Sequence, residues 1–304
     1  MRRSTDAERE RLHETFAELC RIESPSGHER ACADWVTAQL SAMGLEVSED
    51  ASGPAVGSDT GNLLARINPA HPDSPESVLL CAHLDTVPLA APVEPVLVDG
   101  AWENANEGIL GADNKSAVAV ILELARRFTN GGGPPPVGIE MLFTVCEETS
   151  LGGSAEFDVT QLGSAFGYVF DHATPIGEVV VASPTHYRII ADLRGRAAHA
   201  GVRPEMGRSA VAAAAKAIAA MRLGRLDAET TANVGMIEGG SAINVIPERC
   251  RVVAEVRSLD EDRAAAVTTE TVDHLQDAAD AGECDLDLQV QRMFRGYRTK
   301  PKAP

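Results

Sequence analysis

The sequence has 304 residues, a length that suits two domains, and its 44% hydrophobic content can fill a sizeable core, which excludes a disordered chain. A net charge of −18 argues against nucleic acid and anionic membranes as partners, because binding phosphates needs a basic surface. The acidic excess itself reads as a solubilising surface.

The N-terminal MRRSTDAERE leads into no apolar h-region, and no apolar run reaches the length of a bilayer span. Cys20, Cys32, Cys81, Cys146, Cys250 and Cys284 form no CxxC pair, and most lie in apolar stretches. They read as small core residues of a reducing compartment, so a cytoplasmic location is expected. Leu12, Phe16, Leu19 and Cys20 follow helical spacing and predict a first helix over 6–21. In SPSGHER, Ser26 with Glu29 three residues on fits a capping box, and the helix it opens should run to Met43, with Gly44 as its stop. Residues 45–47 and 62–67 read as strands, separated by a loop rich in Ser, Gly, Pro and Asp.

The stretch SVLLCAHLDTVP comes next, bounded by Pro75 and Pro88, and its apolar run predicts a buried strand of a mostly parallel sheet. His83 and Asp85 lie two residues apart and so point to one side of an extended chain. Together they suit a metal-ligating His with its carboxylate partner, or a simple polar turn. In GILGADNKSAVAVILELARRF, Gly108 and Gly111 precede a helix whose buried stripe is Val118, Ile121, Leu122, Ala125 and Phe128. Asp113 stands at its start, as an N-cap or as a ligand. The strand GIEMLFTVC ends in Glu147 and Glu148, either a solvated strand end or a carboxylate pair that a cation relieves of mutual repulsion. Residues 167–170 form a further short strand, with Asp171 and His172 at its end. Three strands thus end in potential ligands and a helix starts with another, at the edge where open α/β sheets bind.

From Pro184 the order becomes β-α-β-β-α-β, the ferredoxin-like split unit: strands at 187–193, 232–237, 251–256 and 286–290, with helices around 211–221 and 267–278. The fold class expected is therefore α/β, a mixed, mostly parallel sheet flanked by helices, with a smaller ferredoxin-like domain.

HLDTVP, GADNKSAVA, TVCEETSLGGS, FDH, RGRAAHAGVRPEMGRSA and EGGSAINVIPE resemble the co-catalytic di-metal exopeptidases and amidohydrolases that include peptidase T, glutamate carboxypeptidases, succinyl-diaminopimelate desuccinylase and aminoacylase. The peptidase T-like branch is the most similar, over about Ser24 to Arg295. The resemblance implies a catalytic domain over 1–183, an inserted lid and dimerisation domain over 184–294, and the start of a return to the catalytic domain over 295–304. It implies that His83 and Asp171 hold one metal, that Asp113 bridges two, and that Glu148 holds the second. Glu147 would be the general base and Asp85 the partner of His83. His199, in AAHAG, would reach the active site of the partner subunit in a homodimer, and Asn244 and Arg257 would hold polar groups of the substrate.

The cofactors so implied are two divalent ions, Zn²⁺ with Mn²⁺ or Co²⁺ able to substitute. The expected reaction is amide hydrolysis in short peptides by a metal-activated water, with N-acyl amino acids or carbamoyl compounds as alternative substrates and a non-catalytic, dimerising chain as the contrasting class. The family's second metal takes a further His from a returning C-terminal segment. This sequence ends at Pro304, where that return would begin, so the second site is expected to be incomplete in this chain. No G-x-S-x-G elbow, H-E-x-x-H pair or phosphate-cradling glycine motif competes with this reading.

Overall fold

The computed structural model describes residues 3–71, 76–131, 133–172 and 175–299. Pro75, expected to bound a strand, and residues 300–304 lie outside them. The chain divides into two compact units, 1–174 and 175–304. Among the described residues no helix is long and apolar enough to cross a membrane.

In the first unit, α1 (Asp6–Arg21) opens with a capping box between Thr5 and Glu8. At its other end the buried Lys115 ammonium donates to the Leu19 and Ile22 carbonyls, which a helix C-terminus leaves unpaired. The second helix, α2, runs Arg30–Ala42, and β1 is Val47–Glu49. A single turn, α3 (Gly53–Val56), interrupts the expected loop before β2 (Leu63–Ile67). Then come β3 (Ser77–His83), β4 (Pro95–Val98), β5 (Ala101–Asn104) and α4 (Ala112–Thr129). They are followed by β6 (Gly138–Thr144), α5 (Gly152–Glu156) and β7 (Gly167–Val169). The main sheet has the order β1-β2-β6-β3-β7. Strands β6, β3 and β7 are parallel, and β2 runs antiparallel to β6 and to β1. Every residue of β6 is buried, which suits its mainly apolar sequence, and its one charged residue, Glu140, is paired with Arg66 at 3.0 Å. Phe16, Leu19, Val36, Leu40, Val118, Ile121 and Leu122 bring α1, α2 and α4 onto one core with the sheet.

The hairpin β4–β5 was not expected. Its signal is Asp99-Gly100, both at positive φ (50° and 83°), the requirement of a tight two-residue hairpin turn. The capping box expected at Ser26 and Glu29 does not form. Glu29 itself is the N-cap residue of α2, with no side-chain cap bond, because its carboxylate is turned into the interior.

In the second unit, β8 (Ala182–Ser183) and β9 (Thr185–Arg194) precede α6 (Ala210–Ala220). After them come β10 (Gly224–Arg225), β11 (Thr230–Gly239), β12 (Arg249–Ser258), α7 (Glu261–Ala281), β13 (Asp285–Phe294) and β14 (Tyr297–Arg298). The antiparallel order β10-β11-β12-β9-β13 is that of the ferredoxin-like split unit, with β10 added at one edge. The boundary lies nearer the N-terminus than 183/184. Tyr297 and Arg298 pair with Ser183 and Ala182, and the Thr299 N–H donates to the Val181 carbonyl at 2.8 Å. Residues 181–183 and 297–299 therefore run side by side within this unit, and 295–299 belongs with it.

One glycine fixes how α5 meets the end of β6. A Cβ on Gly153 would lie 2.4 Å from the Val145 carbonyl oxygen and 2.5 Å from Asn62 Oδ1. Gly153→Ala should destabilise the first unit by about 2–3 kcal/mol, as overpacking against backbone does. The check is a lower denaturant midpoint at unchanged slope for that unit's transition.

Candidate metal centre

The parallel register sets the centre. His83 is the last residue of β3 and pairs with Thr144 at the end of β6, while the Phe170 N–H bonds to the Cys81 carbonyl at 3.0 Å. The carboxyl ends of β3, β6 and β7 consequently present His83, Glu147 with Glu148, and Asp171 at one sheet edge. Asp113 arrives from the start of α4, where it and Asn114 leave helical geometry. One nitrogen or oxygen atom from each of His83, Asp113 and Asp171 lies within 4.8 Å of the others, and the same holds for His83, Glu147 and Glu148. His83 Nε2 is 3.2 Å from Asp113 Oδ1, 3.7 Å from Asp171 Oδ1 and 3.8 Å from Glu147 Oε2.

The other side of the ring decides its tautomer. Nδ1 lies 2.9 Å from the main-chain carbonyl oxygen of Asp85 and 3.3 Å from its Oδ1, both acceptors. The Nδ1–H is engaged there, which leaves Nε2 facing the carboxylates. The fully buried Asp85 carboxylate does more than receive the ring. It accepts the Glu147 N–H at 2.9 Å, the Glu148 N–H at 3.1 Å and the Ser26 hydroxyl at 2.6 Å. Against the effect of burial, His83 and these donors hold its pKa below the ordinary carboxylate value.

The electrostatics of the protein groups ask for a cation. Burial pushes Glu147 up to about 7, reinforced by Asp171, Glu148 and Asp85 and opposed by His83. Glu148 and Asp113 are also raised, by burial first and then by Asp113 and by Asp171 respectively. Burial lowers the His83 pKa, but Asp171 and Asp85 outweigh it and carry the ring up to about 11. The imidazolium is the cluster's only positive charge among these groups. The donor set, carboxylate oxygens with one imidazole nitrogen, is the hard-to-borderline set that divalent ions take. The residues present therefore fit a metal centre.

The remaining residues singled out in the sequence lie in the second unit. His199 forms an isolated bridge with Val245, and the Ala200 N–H donates to the Asn244 carbonyl at 2.9 Å, so His199 and Asn244 sit on neighbouring loops. The Gly201 N–H donates to His199 Nδ1 at 3.1 Å, which leaves Nε2–H as an outward donor. Arg257 is elsewhere. It pairs with His186 and Thr231 at the far end of β12 and contacts Glu255 at 3.0 Å. Eight residues of strand separate it from Arg249, about 27 Å at the usual rise. Sequence reasoning missed the supports of the Val145–Glu148 segment, namely Asn62, Glu29 and the second role of Asp85.

Residues 186–283 match a family model described as a peptidase dimerisation domain, of the M20 type, and residues 62–172 match Peptidase family M28. The chain is 33% identical over 288 residues to the uncharacterised protein YqjE of Bacillus subtilis (strain 168), covering 95% of this chain and 77% of that one. Among solved structures it is similar to aminopeptidase PepT from Bacillus cereus ATCC 10987, with a TM-score of 0.89, 34% identity, and 97% of this chain and 78% of that one covered. It is also similar to a tripeptidase from Staphylococcus aureus subsp. aureus Mu50, with a TM-score of 0.91, 32% identity, and 97% and 78% covered.

Metal binding should release protons. His83 must lose its proton to ligate, and Glu147 is partly protonated near pH 7. Affinity should therefore rise with pH, by roughly tenfold per unit for each proton displaced. Calorimetric titration with Zn²⁺ in two buffers of different ionisation enthalpy checks this. Heats independent of buffer would contradict it.

Proposed function

The chain belongs to the M20 metallopeptidases, the family of peptidase T, and on that premise we propose that it removes the N-terminal residue of short peptides, tripeptides above all, at a centre of two divalent ions. The observation that carries the reading is the convergence of His83, Asp113, Glu147, Glu148 and Asp171 at one sheet edge. The aminopeptidase and tripeptidase similarities favour peptides over N-acyl amino acids and carbamoyl compounds. His83, Asp113 and Asp171 would hold one ion, and Asp113 with Glu148 would hold the other. Zn²⁺ suits this set, and Mn²⁺ or Co²⁺ could replace it. When bound, the metal pair supplies polarisation of the scissile carbonyl and a lowered water pKa.

The chain's own groups do the rest. Glu147 takes a proton from the attacking water and delivers it to the leaving amine, the exchange a general base placed beside the metal ligands performs. Asp85 fixes both partners of the reaction zone, the His83 ring through its main-chain carbonyl and the Glu147 backbone through its carboxylate. His199 has an outward Nε2–H and is exposed, so it can donate to the oxyanion that forms at the carbonyl carbon.

The positions of His199, Asn244 and Arg257 favour a homodimeric site. Two neighbouring loops carry His199 and Asn244, and Arg257 lies toward the far end of β12, about 27 Å along the strand from Arg249. One short peptide does not span that length. We assign His199, with Asn244 on the neighbouring loop, to the site of the partner subunit.

Two outcomes test this in the metal-loaded enzyme. Glu147→Gln should lower kcat by about 10²–10⁴-fold with metal content unchanged, the range of a lost general base. Equal metal loss in Glu147→Gln and Glu148→Gln would mean that the two roles are wrongly divided. Mixing inactive Glu147→Gln with inactive His199→Ala should restore activity to about a quarter of wild type, because a random half of the dimers then carry one intact composite site. No recovery on mixing would refute the shared site.

A further inference from the structure

The segment that carries Glu147 is held by side chains one amide at a time. The Val145 N–H donates to Asn62 Oδ1 at 3.2 Å, the Cys146 N–H to Glu29 Oε1 at 3.1 Å, and the next two amides to Asp85. Between the second and third of these the chain turns through Cys146 at φ +52°, in the left-handed region that a side chain disfavours. A non-glycine residue stays there only where its surroundings over-determine it. The turn also lets the Cys146 carbonyl accept the Gly152 N–H at 2.8 Å, which closes the loop behind Glu147.

Glu29 accepts from both the main-chain N–H and the thiol of Cys146. It is fully buried, and among the described residues no cationic side chain pairs with it. Its charge is met instead by donors: the Gly27 and Cys146 N–H groups at 3.0 and 3.1 Å, the Ser58 hydroxyl at 2.6 Å and the Cys146 thiol at 3.4 Å. Burial, with Glu29 beside it, pushes that thiol up to about 11, so it remains a donor. Placing a carboxylate in the interior is costly, and a residue with no role beyond capping α2 would face solvent. Glu29 makes no cap bond.

We propose that Glu29 is a positioning residue for Glu147, fixing the left-handed turn at Cys146 and so the carboxylate one residue on. The proposal rests on Glu147 as the base. What matters is an acceptor at the right distance and not the negative charge. Glutamine offers the same acceptor to the Gly27 and Cys146 amides, and its NH₂ meets the Ser58 oxygen. Aspartate keeps the charge but withdraws it by about 1.5 Å, beyond hydrogen-bond reach of Cys146 N.

The experiment compares Glu29→Asp with Glu29→Gln in the metal-loaded enzyme and follows amide exchange over 138–151 in the same proteins. Glu29→Asp should lower kcat by about tenfold or more, with KM and metal content near wild type, since misplacing a catalytic group by about 1 Å costs up to about 10². Glu29→Gln should stay within about threefold of wild type. The Cys146 and Glu147 amides should exchange faster in Glu29→Asp while those of β6 keep their protection, a local loosening that general destabilisation would not mimic. Wild-type turnover in Glu29→Asp, equal impairment of the two variants, or unchanged exchange at Cys146 would each overturn the proposal. Glu147→Gln separates the two claims. Should it retain full activity, the base assignment fails, while the exchange rates still report whether Glu29 holds the turn.

Discussion

Like charge crowded at one sheet edge is the constraint on which the first unit depends. Asp85, Asp113, Glu147, Glu148 and Asp171 gather around a single imidazole that is 2% exposed. Left to themselves, Glu147, Glu148 and Asp113 are shifted toward taking up protons, while the hydrogen bond with His83 holds Asp171 below the ordinary carboxylate value. Holding them together needs a rigid frame and a compensating cation. The frame is the parallel trio β6, β3 and β7, held in register by main-chain pairing. Asp85 escapes the repulsion differently, because two amides and a hydroxyl donate to it. It can therefore stay ionised as scaffold while its neighbours face the cation.

Much of this was legible in the sequence. Residues at the ends of buried strands are easy to place, because an apolar run such as VLLCA, or the mainly apolar GIEMLF, fixes where the strand stops and which side chains stand at its end. Both ferredoxin-like helices and all four of its principal strands were readable for the same reason. Periodicity says nothing of which end of a strand a side chain works at, however. Arg257 and Asn244 were grouped by resemblance alone, and β12 separates them by its length. The hairpin at Asp99-Gly100 was within reach, since that dipeptide between Val96–Val98 and Trp102 is a strong local signal.

The SPSGHER turn shows where local rules end. Ser and Glu at a three-residue spacing before a helix have a satisfactory local use, as Thr5 and Glu8 demonstrate at α1. At Ser26 and Glu29 the same chemistry is spent on distant partners, Asp85 at 59 residues' separation and Cys146 at 117. Nothing in the local pattern separates the two cases. The difference is tertiary: Pro25 and Thr86 bridge the turn to the segment just after β3, and this brings Ser26 and Glu29 under the edge that carries His83 and the carboxylates.

That bridge also bears on why the carboxylate support is divided among elements. Asn62 comes after the loop beyond α3, Glu29 starts α2, and Asp85 lies just past β3, yet each takes an amide from the same four-residue run after β6. A loop held from three directions cannot drift without breaking bonds in all of them, and each broken bond would leave a buried polar group unpaired, at about 1–3 kcal/mol apiece. Glu147, the proposed base, is therefore placed by backbone that is tethered on every residue, while its own side chain stays half-buried and outside that set of tethers. The proposed role, gaining and losing a proton in each cycle, benefits from that division: the main chain is rigid, and the carboxylate retains unshared oxygen atoms with which to exchange protons.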